Sequence, residues 1–159
     1  MKINKYTMEM RGIGRLPYRV REDTIEFDKH IKWDTPSRMA RLVNKFYNLS
    51  RLPEEHMVVV MLNSKGDPVG VFEVSHGTAK HAVFTPREIL QRVLISGCNY
   101  FILAHNHPSG DPMPSGDDLD SYDKIKKAAE IVGVNLIDFL IIGKHGKYIS
   151  LTEEYSKKH

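Results

Sequence analysis

Alternating runs of apolar and polar residues divide much of the chain into strands and helices. Residues 56–62, HMVVVML, are almost entirely apolar and partly β-branched, which predicts a strand buried on both faces. The turn signal SKGDP at 64–68 and the apolar return at 69–74 predict its hairpin partner. The later strands are predicted at residues 100–104, 134–142 and 148–151.

Three segments have the apolar spacing of amphipathic helices, and each follows a capping signal. Thr35 before a proline predicts a helix over residues 36–49. The string TPRE at 85–88 is a capping box that opens a helix of about ten residues. Ser115 begins a third helix that we expect to end near Ile131.

The first part of the chain is less clearly patterned than the rest. Residues 1–15 look irregular, and residues 16–28 offer only short strand-like pieces. We therefore expect an N-terminal arm, residues 1–35, followed by one domain, residues 36–155. Because strands and helices alternate in that domain, it is predicted to be α/β, a mixed sheet with helices packed against it.

Composition narrows the class of protein. With 159 residues, 41% hydrophobic and 27% charged, the sequence is typical of one ordinary globular domain. No apolar run approaches the roughly 20 residues of a membrane-spanning helix, and the N-terminus lacks the apolar core of a secretory signal. We therefore expect a cytoplasmic protein with no membrane partner. The single cysteine, Cys98, excludes an internal disulfide and a zinc site of paired CxxC ligands.

Charge is unevenly distributed along the chain. Residues 1–52 contain 12 Lys/Arg and 6 Asp/Glu, a net +6, whereas the whole chain has a net charge of +3. A basic segment attracts polyanions, so nucleic acid is one possible partner of residues 1–52. An ordinary solvated surface has the same composition, and both interpretations stay open.

Two histidines at the end of a predicted strand are candidate metal ligands. His105 and His107 are two residues apart, so strand geometry directs both imidazoles to the same side. A catalytic zinc site needs a third protein ligand, and Asp118 is the best candidate. Ser115 and Asp118 also have the spacing of a capping box, so a purely structural role for this pair remains an alternative.

The order of these residues resembles a known motif. His107, seven residues, Ser115, two residues and Asp118 match the JAMM (MPN-plus) metalloprotease pattern. The longer string HNHPSGDPMPSGDD is similar to the RadC-like branch of that family, and so are residues 77–88 and 133–143. The resemblance covers roughly residues 36–155. It implies a curved β-sheet flanked by helices, related to the cytidine deaminase architecture.

The resemblance also implies a reaction and its residues. One zinc ion per chain, held by His105, His107 and Asp118, lowers the pKa of a bound water to about 7. The family adds a glutamate seven residues before the leucine that ends the first long strand, which selects Glu55 over its neighbour. Glu55 is then the general base and later the acid, and Ser115 stabilises charge in the transition state.

The implied activity is hydrolysis of a peptide or isopeptide bond, notably in ubiquitin-like conjugates. The alternative is a DNA-associated protein, either a metal-dependent nuclease or an accessory factor in repair or mobile-element transfer. Two histidines and one carboxylate also form the facial triad of non-heme iron oxygenases. A deaminase is excluded because its PCxxC ligands are absent.

Other histidines and one departure from the family pattern complete the prediction. We interpret His56, His76 and His81 as surface or packed residues rather than metal ligands. RadC-like proteins usually carry Asp-His in the penultimate strand, where this chain has Asp138 and Phe139. The substitution lies outside the metal motif, so metal binding is expected to survive it.

Overall fold

A seven-stranded mixed sheet runs through the computed structural model, which describes residues 1–77 and 85–156. In chain order the strands are β1 (Lys2–Arg11), β2 (Leu16–Glu26), β3 (His56–Leu62), β4 (Pro68–His76), β5 (Tyr100–Asn106), β6 (Asn135–Ile142) and β7 (Tyr148–Ser150). Across the sheet the order is β2-β1-β4-β3-β5-β6-β7. The pairs β1/β4 and β5/β6 are parallel, and the other neighbours are antiparallel.

Helices flank this sheet, so the predicted α/β class with a mixed sheet is confirmed. They are α1 (Pro36–Tyr47), α2 (Pro86–Ile95), α3 (Gly116–Ile131) and α4 (Leu151–Ser156), with short 3-10 helices at Leu49–Arg51 and Lys144–Gly146. None of the helices in the described ranges has the length and apolar character needed to cross a bilayer.

The two central strands β3 and β5 bury side chains on both faces, as the apolar run 56–62 predicted. Met57 and Val59 belong to a different core cluster from Val58 and Val60, because successive side chains point to opposite faces. Helices α2 and α3 cover the first cluster, and α1 covers the second. This double covering fixes the register of β5, whose carboxyl end carries the candidate site.

Capping signals locate the helix starts well. Thr35 accepts a hydrogen bond from the amide of Arg38 at the start of α1. Helix α1 ends two residues before the predicted position because Asn48 adopts a left-handed conformation, with φ of 53°. Helix α2 follows the predicted capping box, and α3 follows Ser115 and ends at Ile131.

The prediction that residues 1–15 are irregular is wrong. Strands β1 and β2 form a long antiparallel hairpin, and β1 also pairs in parallel with β4. Few hairpin side chains are buried, so the hydrophobic pattern is weak there. What joins β1 to the sheet is a long-range contact: a Cβ on Gly70 would lie 2.6 Å from the Tyr6 ring, so only glycine admits this packing.

Candidate metal centre

His105 and His107 lie side by side at the carboxyl end of β5. Their rings stack with centroids 4.9 Å apart, and their Nε2 atoms are 3.0 Å apart. His105 is only 3% exposed, and its ring meets the edge of Phe139 at a centroid distance of 5.2 Å. The amide of His107 donates to the carbonyl of Ile142, so the neighbouring strand holds the chain beyond the end of β5.

Asp118 joins the two histidines from the first turn of α3. Its Oδ1 atom lies 3.3 Å from Nε2 of His105, and its Oδ2 atom lies 3.3 Å from Nε2 of His107. Ser115 orients this carboxylate, because its amide and its hydroxyl donate to Oδ2 at 2.7 and 2.6 Å. Ser115 and Asp118 therefore do form a capping box, and the Asp118 carboxylate of that box also faces the histidines.

A tight loop returns the chain from β5 to α3. Gly110 has a φ of 82°, a conformation that favours glycine, and its amide donates to the carbonyl of His107. A Cβ on Gly143 would lie 2.6 Å from the Gly110 carbonyl oxygen, so the loop packs directly on the backbone after β6. Within the loop, the Asp111 carbonyl lies 2.9 Å from Nδ1 of His107. That carbonyl can only accept, so Nδ1 carries the proton and Nε2 offers its lone pair.

Electrostatics leave one candidate ligand neutral and another anionic, whereas His107 has to give up a proton before its Nε2 atom binds a cation. Burial lowers the pKa of His105 to about 4, so its imidazole is neutral near pH 7. The hydrogen bond with Asp118 raises the pKa of His107. Burial opposes ionisation of Asp118, but the hydrogen bond with His107, the positive charge that His105 carries in acid, and the hydrogen bonds with Ser115 hold the pKa of Asp118 below the usual range. An anionic carboxylate beside a neutral imidazole suits a divalent cation.

The donor atoms fit zinc in kind and lie close together. Tetrahedral zinc with nitrogen and oxygen ligands at about 2.0–2.2 Å separates those ligands by about 3.3–3.6 Å. Here the two Nε2 atoms are 3.0 Å apart, and each lies 3.3 Å from a different oxygen of the Asp118 carboxylate. Two imidazole nitrogens and one carboxylate are therefore grouped closely enough to hold one divalent cation, with one ligand atom of each residue within 4.8 Å of the others.

Glu55 stands just before β3, beside the histidines. Strand alternation puts it on the side of Met57, which pairs with His105. Besides the hydrogen bond with Asp118, the charge of Glu55 adds to the raised pKa of His107. The structure thus brings Glu55 and Ser115 to the same edge of the sheet as the three candidate ligands.

Asn106 is a positioning residue that the sequence reasoning missed. Its Oδ1 atom accepts from the His56 amide at 2.8 Å, and its Nδ2 atom donates to the Glu54 carbonyl at 2.9 Å. These two bonds hold the backbone on either side of Glu55. The sequence signal was a polar residue between two histidines at the end of a predicted buried strand, and in the structure Asn106 is 1% exposed with its amide hydrogen-bonded.

The other histidines divide into two groups. His56 and His76 come together with Glu73, which the sequence interpretation of these histidines as surface or packed residues did not anticipate. His81 lies outside the described residues, as does most of the segment 77–88 that supported the family resemblance.

Comparison with known proteins identifies the relatives of the chain. The family described as RadC-like JAB domain matches residues 33–156. A UPF0758 protein of Clostridium botulinum strain Eklund 17B is 39% identical over 127 residues, 80% of this chain and 54% of that protein. UPF0758 proteins of Staphylococcus haemolyticus and Carboxydothermus hydrogenoformans are 35% identical over 129 residues and 41% identical over 108 residues. These alignments cover 81% and 68% of this chain, and 55% and 47% of the relatives. The chain thus spans about half the length of the curated relatives it matches.

Proposed function

We propose, since this chain belongs to the RadC-like JAB domain family, that it is a zinc-dependent hydrolase of the JAMM type that cleaves a peptide or isopeptide bond. The observation that carries the proposal is the clustering of two imidazole nitrogens and one carboxylate, from His105, His107 and Asp118, a donor set typical of catalytic zinc. When bound, zinc acts as a Lewis acid that polarises a carbonyl and lowers the pKa of water.

In this proposal Glu55 moves the proton. It accepts a proton from the attacking water and delivers it to the nitrogen of the leaving amine, as general base and then general acid. Its support is position: the charge of Glu55 reaches His107, and Asn106 holds the backbone before and after it. Such general acid–base catalysis is typically worth about 10²–10⁴ in rate.

Ser115 has two tasks in the same proposal. Its amide and hydroxyl fix the Asp118 carboxylate, which keeps the ligand in place. When substrate enters, the hydroxyl, which is at the exposed start of α3, turns to donate to the oxygen that gains negative charge. The hydroxyl oxygen can keep accepting from the Asp118 amide, the N-cap hydrogen bond, while its proton changes partner.

The DNA-associated alternative has weaker support. Several cations of the N-terminal hairpin already have acidic partners within the chain: Arg11 lies 3.4 Å from the Glu9 carboxylate, and Lys5 lies 3.3 Å from the Glu22 carboxylate. Contacts of this kind reduce the free charge that a polyanion would meet. The positive excess of residues 1–52 is its remaining support.

The test pairs two neighbouring glutamates. The zinc-loaded chain is incubated with a diverse peptide library and with isopeptide-linked conjugates, and new amino termini are identified by mass spectrometry. We expect cleavage by the wild type and by Glu54→Gln, and a loss of about 10²–10⁴ in rate for Glu55→Gln with zinc content unchanged. If Glu55→Gln cleaves as fast as Glu54→Gln, Glu55 is not the base.

A further inference from the structure

A second group of two histidines and one carboxylate lies at the same edge of the sheet. His56 opens β3 and His76 ends β4, and the two are direct partners in the antiparallel ladder. Their rings stack with centroids 5.6 Å apart. Glu73 lies between them: its Oε1 atom is 2.5 Å from Nδ1 of His56 and 3.7 Å from Nδ1 of His76.

An irregularity in β4 creates this cluster. Glu73 and His76 are three residues apart, so a regular strand would direct them to opposite faces. The register shifts opposite Met57 and Val58, which pair with Ser75 and Glu73, so β4 has one residue more than β3. Glu73 pairs with Val58 and so shares the face of His56, and the bulge shifts the alternation of β4 so that His76 reaches the same face.

We propose that His56, Glu73 and His76 form a second divalent-metal site that takes zinc. Two imidazoles and one carboxylate are a common zinc donor set, and one ligand atom from each residue lies within 4.8 Å of the others. His76 is 68% exposed on its side chain, so it moves easily toward the other two, and its open side leaves room for a water ligand.

The two sites are separate because they lie on opposite faces of the sheet. Met57 shares its face with His105, with which it pairs, so the preceding residue His56 points to the other face. Because its ligands come from two neighbouring strands, we assign the second site a structural role. It ties the start of β3 to the end of β4, directly beside the hydrogen bond from the Gly77 amide to the Glu55 carbonyl.

The test counts zinc ions bound per chain after equilibrium dialysis, by elemental mass spectrometry. We expect two for the wild type and for the control His30→Ala, which changes an exposed histidine elsewhere. His76→Ala and Glu73→Gln should each bind one. His107→Ala isolates the second site, so it should also bind one, and His76→Ala combined with His107→Ala should bind none.

Two results would overturn this second site. One is an equal zinc content in the wild type and His76→Ala. The other is a His107→Ala variant that keeps its fold by circular dichroism and binds no zinc. If His107→Ala loses one ion and keeps the other, zinc binding at the second site is independent of the centre at Asp118. The zinc contents of His107→Ala and His76→Ala therefore show which of the two sites is absent if one of them is.

Discussion

Two helices of this molecule begin with the same capping box and use it differently. In α2 the Glu88 carboxylate accepts from the amide and the hydroxyl of Thr85, and this bond lowers the pKa of Glu88. In α3 the Asp118 carboxylate accepts from the amide and hydroxyl of Ser115 in the same way. Among residues 1–77 and 85–156, the carboxylate of α3 but not that of α2 also meets two imidazoles, those of His105 and His107.

The two capping boxes are alike within their helices and differ in the residues that each carboxylate faces. A capping box fixes the orientation of a carboxylate whatever that carboxylate faces. The compact loop after β5 brings the end of that strand, with its histidines, against the start of α3. A local motif with a structural purpose thereby becomes a rigid support for a metal ligand.

The largest expected contrast between the boxes is in zinc binding. Asp118→Asn retains a capping oxygen but removes the anionic ligand. Loss of a residue that only orients a metal ligand lowers metal affinity by up to about 100-fold, so we expect loss of the ligand itself to lower zinc affinity by more than that. Glu88→Gln is the matched change in α2 and should leave affinity unaltered. Titration with a competing chelator, with both changes made in the His76→Ala protein so that the second proposed site does not contribute, measures both affinities, and equal values would remove Asp118 from the ligand set.

The next contrast separates catalysis from stability. Ser115→Ala should lose about 1 kcal/mol of stability through the lost cap, and about 10²–10³ in rate through the lost donor. Thr85→Ala should lose a similar stability and no rate on the cleavable substrate found for the wild type. Urea unfolding measures the stability of both variants, and cleavage kinetics measure their rates. A rate loss in Ser115→Ala no greater than in Thr85→Ala would reduce Ser115 to a cap.

The smallest expected effect concerns Asp138, a buried carboxylate outside the candidate metal centre. Asp138 accepts from the Phe139 amide and the Ser150 hydroxyl at 2.8 and 2.9 Å, and burial raises its pKa. Its folded pKa exceeds the unfolded value of about 3.9, so the stabilising effect is complete below that pH and is lost as pH rises through the raised pKa. Each unit of raised pKa is worth about 1.4 kcal/mol.

Asp138→Asn tests this sign. Its amide oxygen can accept the same bonds without charge, so wild type should be more stable relative to Asp138→Asn near pH 4 than at pH 7. Urea unfolding of both metal-free proteins measures the difference, and metal-free samples keep zinc release out of the comparison. If the difference in stability between wild type and Asp138→Asn is the same at pH 4 and pH 7, folding does not raise the pKa of Asp138.

Periodicity and capping signals predicted most of the strands and helices of residues 36–155, and they also placed the candidate metal ligands at the ends of two elements. Period two placed both imidazoles of HNH on one side of β5, and the serine cap placed Asp118 in the first turn of α3. The sequence left capping and metal binding as alternatives for Ser115 and Asp118. The geometry makes them compatible, because one carboxylate accepts from Ser115 and faces the histidines together.

What the sequence did not predict depends on long-range pairing. Strand β1 owes its place to parallel pairing with β4, more than 60 residues away, and its half-exposed pattern gave no sign of that partner. The second cluster depends on a bulge: period two alone puts Glu73 and His76 on opposite faces. A single residue added to one strand is invisible to hydrophobic periodicity.

Anomalous scattering at the zinc absorption edge, from crystals of the zinc-loaded wild type, tests the central claim most directly. Our account predicts a peak within about 2.0–2.2 Å of Nε2 of His105, Nε2 of His107 and one oxygen of Asp118. Zinc-loaded crystals with no peak among these three residues would contradict it.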